Sequence, residues 1–241
     1  MKSVLKRGAA IVLAMVIAFA GMSSIGAQAK EEGTKDAQKY NYDTYKYVVQ
    51  DFSRRVIGKV STVDVECYAM RLELSGYGKA GKKINKFLKT VVVCDPEPVF
   101  DYAEFDADNS VIENLEPYHD RVGSWVEYND GKYLSITVSR DTWYGGAVEN
   151  TFHTGYTFDL KTGKAVSITK ATGWTLKQIK KRISDNMKAD GGYSEEDFVY
   201  LESLKASDFR YYLKDGNRCY VTFGPYEIGG GGWFRQFDFE F

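Results

Sequence analysis

Residues 130–168, DGKYLSITVSRDTWYGGAVENTFHTGYTFDLKTGKAVSI, carry three strand signals joined by turn signals, and this stretch limits the fold more than any other. In KYLSITVSR, Leu134, Ile136 and Val138 share one parity, while Tyr133, Ser135, Thr137 and Ser139 take the other. In TFHTGYTFDL, Phe152, Thr154, Tyr156, Phe158 and Leu160 alternate with His153, Gly155, Thr157 and Asp159. Lys161-Thr162-Gly163-Lys164 then turns the chain into a short third strand. A β-meander with one core face is the expectation.

The N-terminus constrains the address. Lys2, Lys6 and Arg7 precede the apolar run AAIVLAMVIAFAGM, and Ala27-Gln28-Ala29 supplies a small-x-small cleavage pattern, so residues 1–29 read as a secretory signal peptide. The run is shorter than the roughly 20 residues that span a bilayer, so cleavage and a secreted or extracytoplasmic chain beginning at Lys30 are expected. Cleavage leaves 29 basic against 33 acidic residues. That balance, without a basic block, argues against nucleic acid as a partner. Cys67, Cys94 and Cys219 allow at most one bridge, and a Cys67–Cys94 pair and buried unpaired thiols both stay open.

After the leader, residues 30–44 lack apolar periodicity and read as a flexible segment. Two strand-like runs follow from Tyr45 to Ser75, with the alternation of Val65, Cys67 and Ala69 broken once before Leu72 and Leu74. Ile84, Phe87, Leu88 and Val91 form the stripe of an amphipathic helix, which DPEP at 95–98 is expected to break. YHDRVGSWVEYND reads as a strand entering the meander through Asn129-Asp130-Gly131. Beyond the meander, capping boxes at Thr175 to Gln178 and Ser194 to Asp197 open two helices, the first carrying Leu176, Ile179, Ile183 and Met187 and ending at Gly191. A hairpin around Asp215-Gly216 and the alternating run WFRQFDFEF close the chain. The fold class is α+β, an antiparallel sheet with helices packed on one side, with a small strand-helix domain over 45–115 and a larger α+β domain over 116–241.

Few residues suit catalysis. A nucleophilic triad needs a base, and only His119 and His153 are present; His153 sits on the polar parity of a strand, and no nucleophile elbow accompanies either. Metal-ligand spacings are absent, Gly229 to Gly232 lack the Lys-Ser/Thr of a phosphate loop, and Glu195, Glu196 and Asp197 fit the first turn of a helix. No catalytic residue, metal or cofactor is expected. What remains are two loops that combine aromatics with glycine: Trp143, Tyr144, Gly145 and Gly146 in one, and Pro225, Tyr226, Glu227 and Trp233 in the other. Such loops suit binding of protein or sugar. The same aromatics could instead cover the end of the sheet.

From SITVSRDTWYGGAVENTFHTGYTFDLKTGKAVSI to FRYYLKDGNRCYVTFGPYEI, the chain resembles in order and spacing the extracytoplasmic domain of RsiV-type anti-sigma factors, a domain also found ahead of the catalytic domain in the peptidoglycan deacetylase PdaC. The resemblance covers residues 118–241, and GYGKAGKKINKFLK looks like the smaller domain of unknown function that usually precedes it. Family members often carry histidine where this chain has Val148, and Ala-Pro-Tyr where it runs through Gly229 to Gly232. The resemblance implies recognition rather than turnover: RsiV-type domains bind lysozyme, so lysozyme or another extracellular protein is the implied partner, beside the cell-wall glycan that the loops also suit. The alternatives are an envelope hydrolase in which Asp141, His153 or Glu227 converge in a cleft, and a structural envelope protein without specific ligand.

Overall fold

The computed structural model describes residues 28–31, 40–42, 47–60, 63–108, 117–146 and 148–241. Most of the expected signal peptide and much of the expected leader lie outside these residues. Gln28–Glu31 form β1 and Tyr40–Tyr42 form β2, both antiparallel to β3 (Tyr47–Val60). The 30–44 stretch, expected to carry no packed structure, therefore contributes strand residues.

β3 continues antiparallel into β4 (Val63–Leu74), and the irregular pairing between Val49 and Arg54 of β3 lies opposite the part of β4 where the alternation breaks. Val65, Cys67 and Ala69 are buried on one parity, Leu72 and Leu74 on the next. At that break β4 parts from its parallel neighbour β5 (Tyr118–Asn129), whose last partner pair is Met70↔Gly123. Ser124 Oγ then accepts from the Leu72 amide at 2.8 Å, keeping a buried donor satisfied. Between these strands run α1 (Gly78–Val91) and α2 (Pro96–Asp108). DPEP stands beyond the end of α1, as expected, but the segment it opens is a second helix. Pro96 occupies the first helical position, where its missing N–H has no partner to lose, and the Asp95 side chain accepts from the Glu97 amide.

β6 (Tyr133–Trp143) and β7 (Asn150–Asp159) complete a mixed sheet in the order β1-β3-β4-β5-β6-β7, with β2 also on β3. The expected third strand of the meander shrinks to one bridge, Phe158↔Ala165, before α3 (Ile168–Thr172); the third member is β5 instead. Leu134, Ile136, Val138 and Phe158 pack with Ile84, Leu88, Val99 and Ala103 of the two helices. One core thus spans residues on both sides of the 115/116 boundary, and an Arg121–Glu66 ion pair of 2.8 Å joins the same halves.

The opposite face of β6 and β7 is covered as well, by a second sheet of order β10-β9-β8: Arg210–Lys214 (β8), Arg218–Phe223 (β9) and Arg235–Glu240 (β10). Hydroxyls form the seam. Ser135 Oγ accepts from the Leu213 amide at 2.9 Å, Thr157 Oγ1 donates to Tyr211 O at 3.3 Å, and Thr222 Oγ1 accepts from the Gly155 amide at 3.3 Å. The far side of the second sheet buries Tyr211, Leu213, Cys219, Val221, Phe237 and Phe239 against α4 (Leu176–Asp190) and α5 (Glu195–Ser203). Both capping boxes are formed as the sequence predicts. The architecture is α+β in four layers, helices, large sheet, small sheet and helices, so the two-layer expectation lacked the small sheet as a separate layer. The three cysteines are buried and none forms a disulfide. Among the described residues no helix is long and apolar enough to cross a membrane.

Candidate functional site

The first aromatic-glycine loop leaves β6 at Trp143, and its two aromatics diverge. Trp143 lies half-buried against Tyr118, ring centroids 4.9 Å apart, and its Nε1 donates to Gly146 O at 3.1 Å, closing the turn. Gly145 has φ +88°, and a Cβ there would sit 2.5 Å from the Tyr118 hydroxyl, which itself donates to Asp106. Only glycine satisfies both the backbone angle and the contact. Past the turn, Glu149 is held by His119 Nε2 at 3.0 Å, while His119 Nδ1 donates to Pro117 O at 2.8 Å. Both histidines thus have partners; His153 Nδ1 lies 2.6 Å from Ser139 Oγ, with its ring beside Tyr212 and Phe234.

Tyr144 stacks on Tyr102 of α2 at 5.4 Å. There it lines a cavity of about 360 Å³ with Val91, Arg140, Phe152 and Tyr156. Arg140 is fixed by the fully buried Asp120 through two hydrogen bonds, Nε to Oδ1 at 2.7 Å and Nη2 to Oδ2 at 2.6 Å. Burial works against the guanidinium charge, but the hydrogen bonds and charge of Asp120 outweigh it and hold the group above its ordinary pKa. This pair was missed in the sequence. Its signal was present: Arg140 shares the parity of Leu134, Ile136 and Val138, and a cation on a core parity requires a partner.

The second loop, 224–234, is tied down along its length. Tyr226 N donates to Gly231 O at 3.1 Å and Glu227 N to Gly224 O at 3.3 Å. Glu227 turns inward, accepting from the Gly224 amide at 2.7 Å and pairing with Arg210, so it holds the loop's base. Pro225 and Ile228 are buried. The Gly229 amide donates to Asp197 Oδ1 at 3.0 Å, and Asp197 is also the capping-box residue that accepts from Ser194 N. Those amides outweigh desolvation and hold the Asp197 carboxyl below its ordinary pKa. Arg235 Nη2 donates to Gly229 O and Gly230 O, and Gly229, Gly230 and Gly231 all take positive φ. A Cβ on Gly232 would lie 2.5 Å from Val148 Cγ1.

That contact brings the two loops together. Thr151 N donates to Gly232 O and Phe234 N to Thr151 O, both at 3.1 Å, so the glycine segment seals one end of the β7 edge. What it leaves facing outward is aromatic: Tyr226 is 66% exposed, with φ +63°, and Trp233 61% exposed, next to the exposed Val148. Trp233 does not follow Phe237 and Phe239 into the core because β10 begins only at Arg235. Of the predicted aromatic residues, Tyr226 and Trp233 are exposed, whereas Trp143 and Tyr144 are partly buried against the core of the large sheet. Gly145, Pro225 and Glu227 build the loops, and Gly146 accepts the Trp143 hydrogen bond.

No protein-family model matches the chain, and no curated protein matches it. A crystal structure of a DUF3298-family member from Bacteroides fragilis is similar with a TM-score of 0.50 and 12% identity, covering 89% of this chain and 90% of that one. A DUF3298-family protein from Pseudomonas aeruginosa PAO1 gives a TM-score of 0.34 and 9% identity over 85% and 86% of the two chains. At such identity the Bacteroides likeness is one of fold: the chain shares its α+β architecture with a protein from a family of unknown function.

Proposed function

We propose that the chain is an extracytoplasmic binding module whose recognition surface is the junction of the two loops, where Val148 of the first meets Gly232 of the second, with Tyr226 and Trp233 as its exposed aromatics. The observation that carries this reading is the contrast between a pinned main chain and unpacked aromatics. Every few residues of the loop is anchored, yet Tyr226 and Trp233 expose most of their surface. Tyr and Trp side chains have few rotatable bonds, and on an anchored main chain they lose little conformational entropy on binding, which suits them to a protein or glycan surface. The separate engagement of His153 with Ser139 and of Glu227 with Arg210 favours recognition over hydrolysis. The resemblance to RsiV-type domains makes a C-type lysozyme the first ligand to test, with cell-wall glycan the second. Calorimetric titration of the purified chain against lysozyme, with muramidase activity followed in parallel, and against soluble peptidoglycan fragments is the experiment. Saturable binding weakened in Trp233→Ala supports the proposal. Binding unaffected by Tyr226→Ala and Trp233→Ala, or none to either ligand class, removes it.

A further inference from the structure

The two edges of the small sheet are finished differently. At β8 the outward amide of Leu213 donates to Ser135 Oγ and the outward carbonyl of Tyr211 accepts from Thr157 Oγ1, so the large sheet closes that edge. Among the described residues β10 has no such strand neighbour; just before it, the Phe234 amide donates to Thr151 O of β7. Phe241 N donates to Asn217 O at 3.0 Å, and the register continues through Phe239↔Cys219 and Phe237↔Val221. Odd-numbered residues therefore bond inward to β9, and the main-chain groups of Gln236, Asp238 and Glu240 point away from it. Among the described residues one of those groups is engaged: Asp238 O accepts from Asn186 Nδ2 of α4 at 3.2 Å.

Between this edge and α4 runs a groove of about 650 Å³. Trp174, stacked on Phe239 with centroids 4.9 Å apart, forms an apolar wall, and Arg182 and Asp190 of α4 contribute opposite charges to the other. The side chains of Gln236, Asp238 and Glu240 are exposed on the opposite face of the strand from Phe237 and Phe239. Arg218 reaches Glu240 at 3.4 Å, which leaves Asp238 as the carboxylate that a neighbour would face.

We propose that β10 accepts an extended segment of a partner polypeptide as a fourth strand, one in which apolar residues directed to the Trp174 side alternate with basic residues directed to Asp238. This site is independent of the aromatic loop surface. A second copy of the chain does not meet the requirement. Two antiparallel β10 edges must match even-numbered residues with even-numbered ones, and Gln236, Asp238 and Glu240 include no cation in any register. The register centred on Asp238 sets two carboxylates face to face, which is destabilising. A natural edge carrying acidic side chains resists its own kind and selects a basic strand. Asn186 supplies the hydrogen bond that the incoming strand would give to Asp238 O, and the strand displaces it.

The test uses a labelled, N-acetylated Lys-Val-Lys-Val-Lys-Val peptide, followed by fluorescence anisotropy with the full chain. Saturable binding is expected, weakened about tenfold or more in Asp238→Lys and for the corresponding Glu-Val peptide. Asn186→Ala is expected to bind the peptide more tightly, because the Asp238 carbonyl is vacated, an effect that a merely structural asparagine would not give. Amide exchange of the unaltered chain provides a readout that does not depend on any variant folding: the amides of Gln236, Asp238 and Glu240 should gain protection when the Lys-Val peptide is added. No saturable binding, equal affinity for the Glu-Val peptide, or binding that leaves those three amides unprotected overturns the proposal.

Discussion

The main chain of Tyr211 occupies the space that a side chain on Gly155 would fill. A Cβ at that position would collide with the carbonyl carbon and oxygen of Tyr211 and with the next amide nitrogen, all of them backbone atoms that cannot rotate away. This is where β8 crosses the polar-parity face of β7, and the Gly155 amide reaches Thr222 there. Gly155→Ala should therefore push the two sheets apart and cost about 1–3 kcal/mol or more. Chemical denaturation reads the loss directly; an unchanged urea midpoint would show that the seam is looser than the structure has it.

Tyr226 separates stability from binding. Its φ of +63° is costly for a residue with a Cβ, and its side chain is mostly in solvent. Tyr226→Gly should hold or raise the melting temperature, because the left-handed strain of about 1 kcal/mol is relieved. Tyr226→Ala retains the strain and should stay within about 0.5 kcal/mol of the unaltered chain. Both should weaken the proposed recognition by about 2 kcal/mol if the ring is a hot spot. A large stability loss in either variant would place this ring in the core and move recognition elsewhere.

The Asp120–Arg140 pair is asymmetric, and its variants should show it. Asp120 is wholly buried while the Arg140 side chain is 37% exposed. Arg140→Ala strands a buried carboxylate and should cost the upper part of about 3–5 kcal/mol, whereas Asp120→Ala leaves a guanidinium that can turn toward water and should cost less. Equal losses by thermal unfolding would contradict this ranking.

His153 gives the fold a pH dependence of definite sign. Burial lowers its pKa from 6.5, the positive charge of Lys214 works in the same direction and Glu127 opposes them. Because the folded-state pKa is depressed, the unfolded chain takes up the proton first. The stabilisation is complete above about pH 6.5 and is lost as pH falls below that value toward the folded pKa. Urea midpoints between pH 7.5 and 5 should fall more steeply for the unaltered chain than for His153→Gln. Parallel slopes would assign the acid sensitivity to other groups.

Much of the fold was legible in the residues because local chemistry dictated it. Thr175 with Gln178 and Ser194 with Asp197 announce helix starts through side chains that can serve no other purpose so economically, and Ile84 with Leu88 announces a buried helical stripe. What sequence pattern misread was the identity of the polar faces. Ser135, Thr137 and Thr157 alternate as solvent-facing residues do, yet they are buried and hydrogen-bonded beneath a second sheet, and nothing local distinguishes a hydroxyl bonded to water from one bonded to Tyr211. DPEP does lie past the end of the first helix, but Pro96 and Pro98 also open the second, because the first turn of a helix tolerates proline. At the candidate site, Tyr226 and Trp233 were recognisable from the glycines around them. The anchoring roles of Asp197, Arg210 and Asn150's neighbour Thr151 were not, because each acts across the fold from a distant part of the chain.

The docking of Gly232 and Phe234 on Thr151 has a kinetic side. The edge of β7 at that end is closed by residues made some eighty positions after it, so a growing chain carries a bare strand edge until the segment around Trp233 has emerged. The crossing of β8 over Gly155 comes almost as late. Contacts of such sequence separation are slow to form, and the interval before they do is when this chain is most open to pairing with the wrong strand. Protection of the β7 edge at that end thus waits on the aromatic loop.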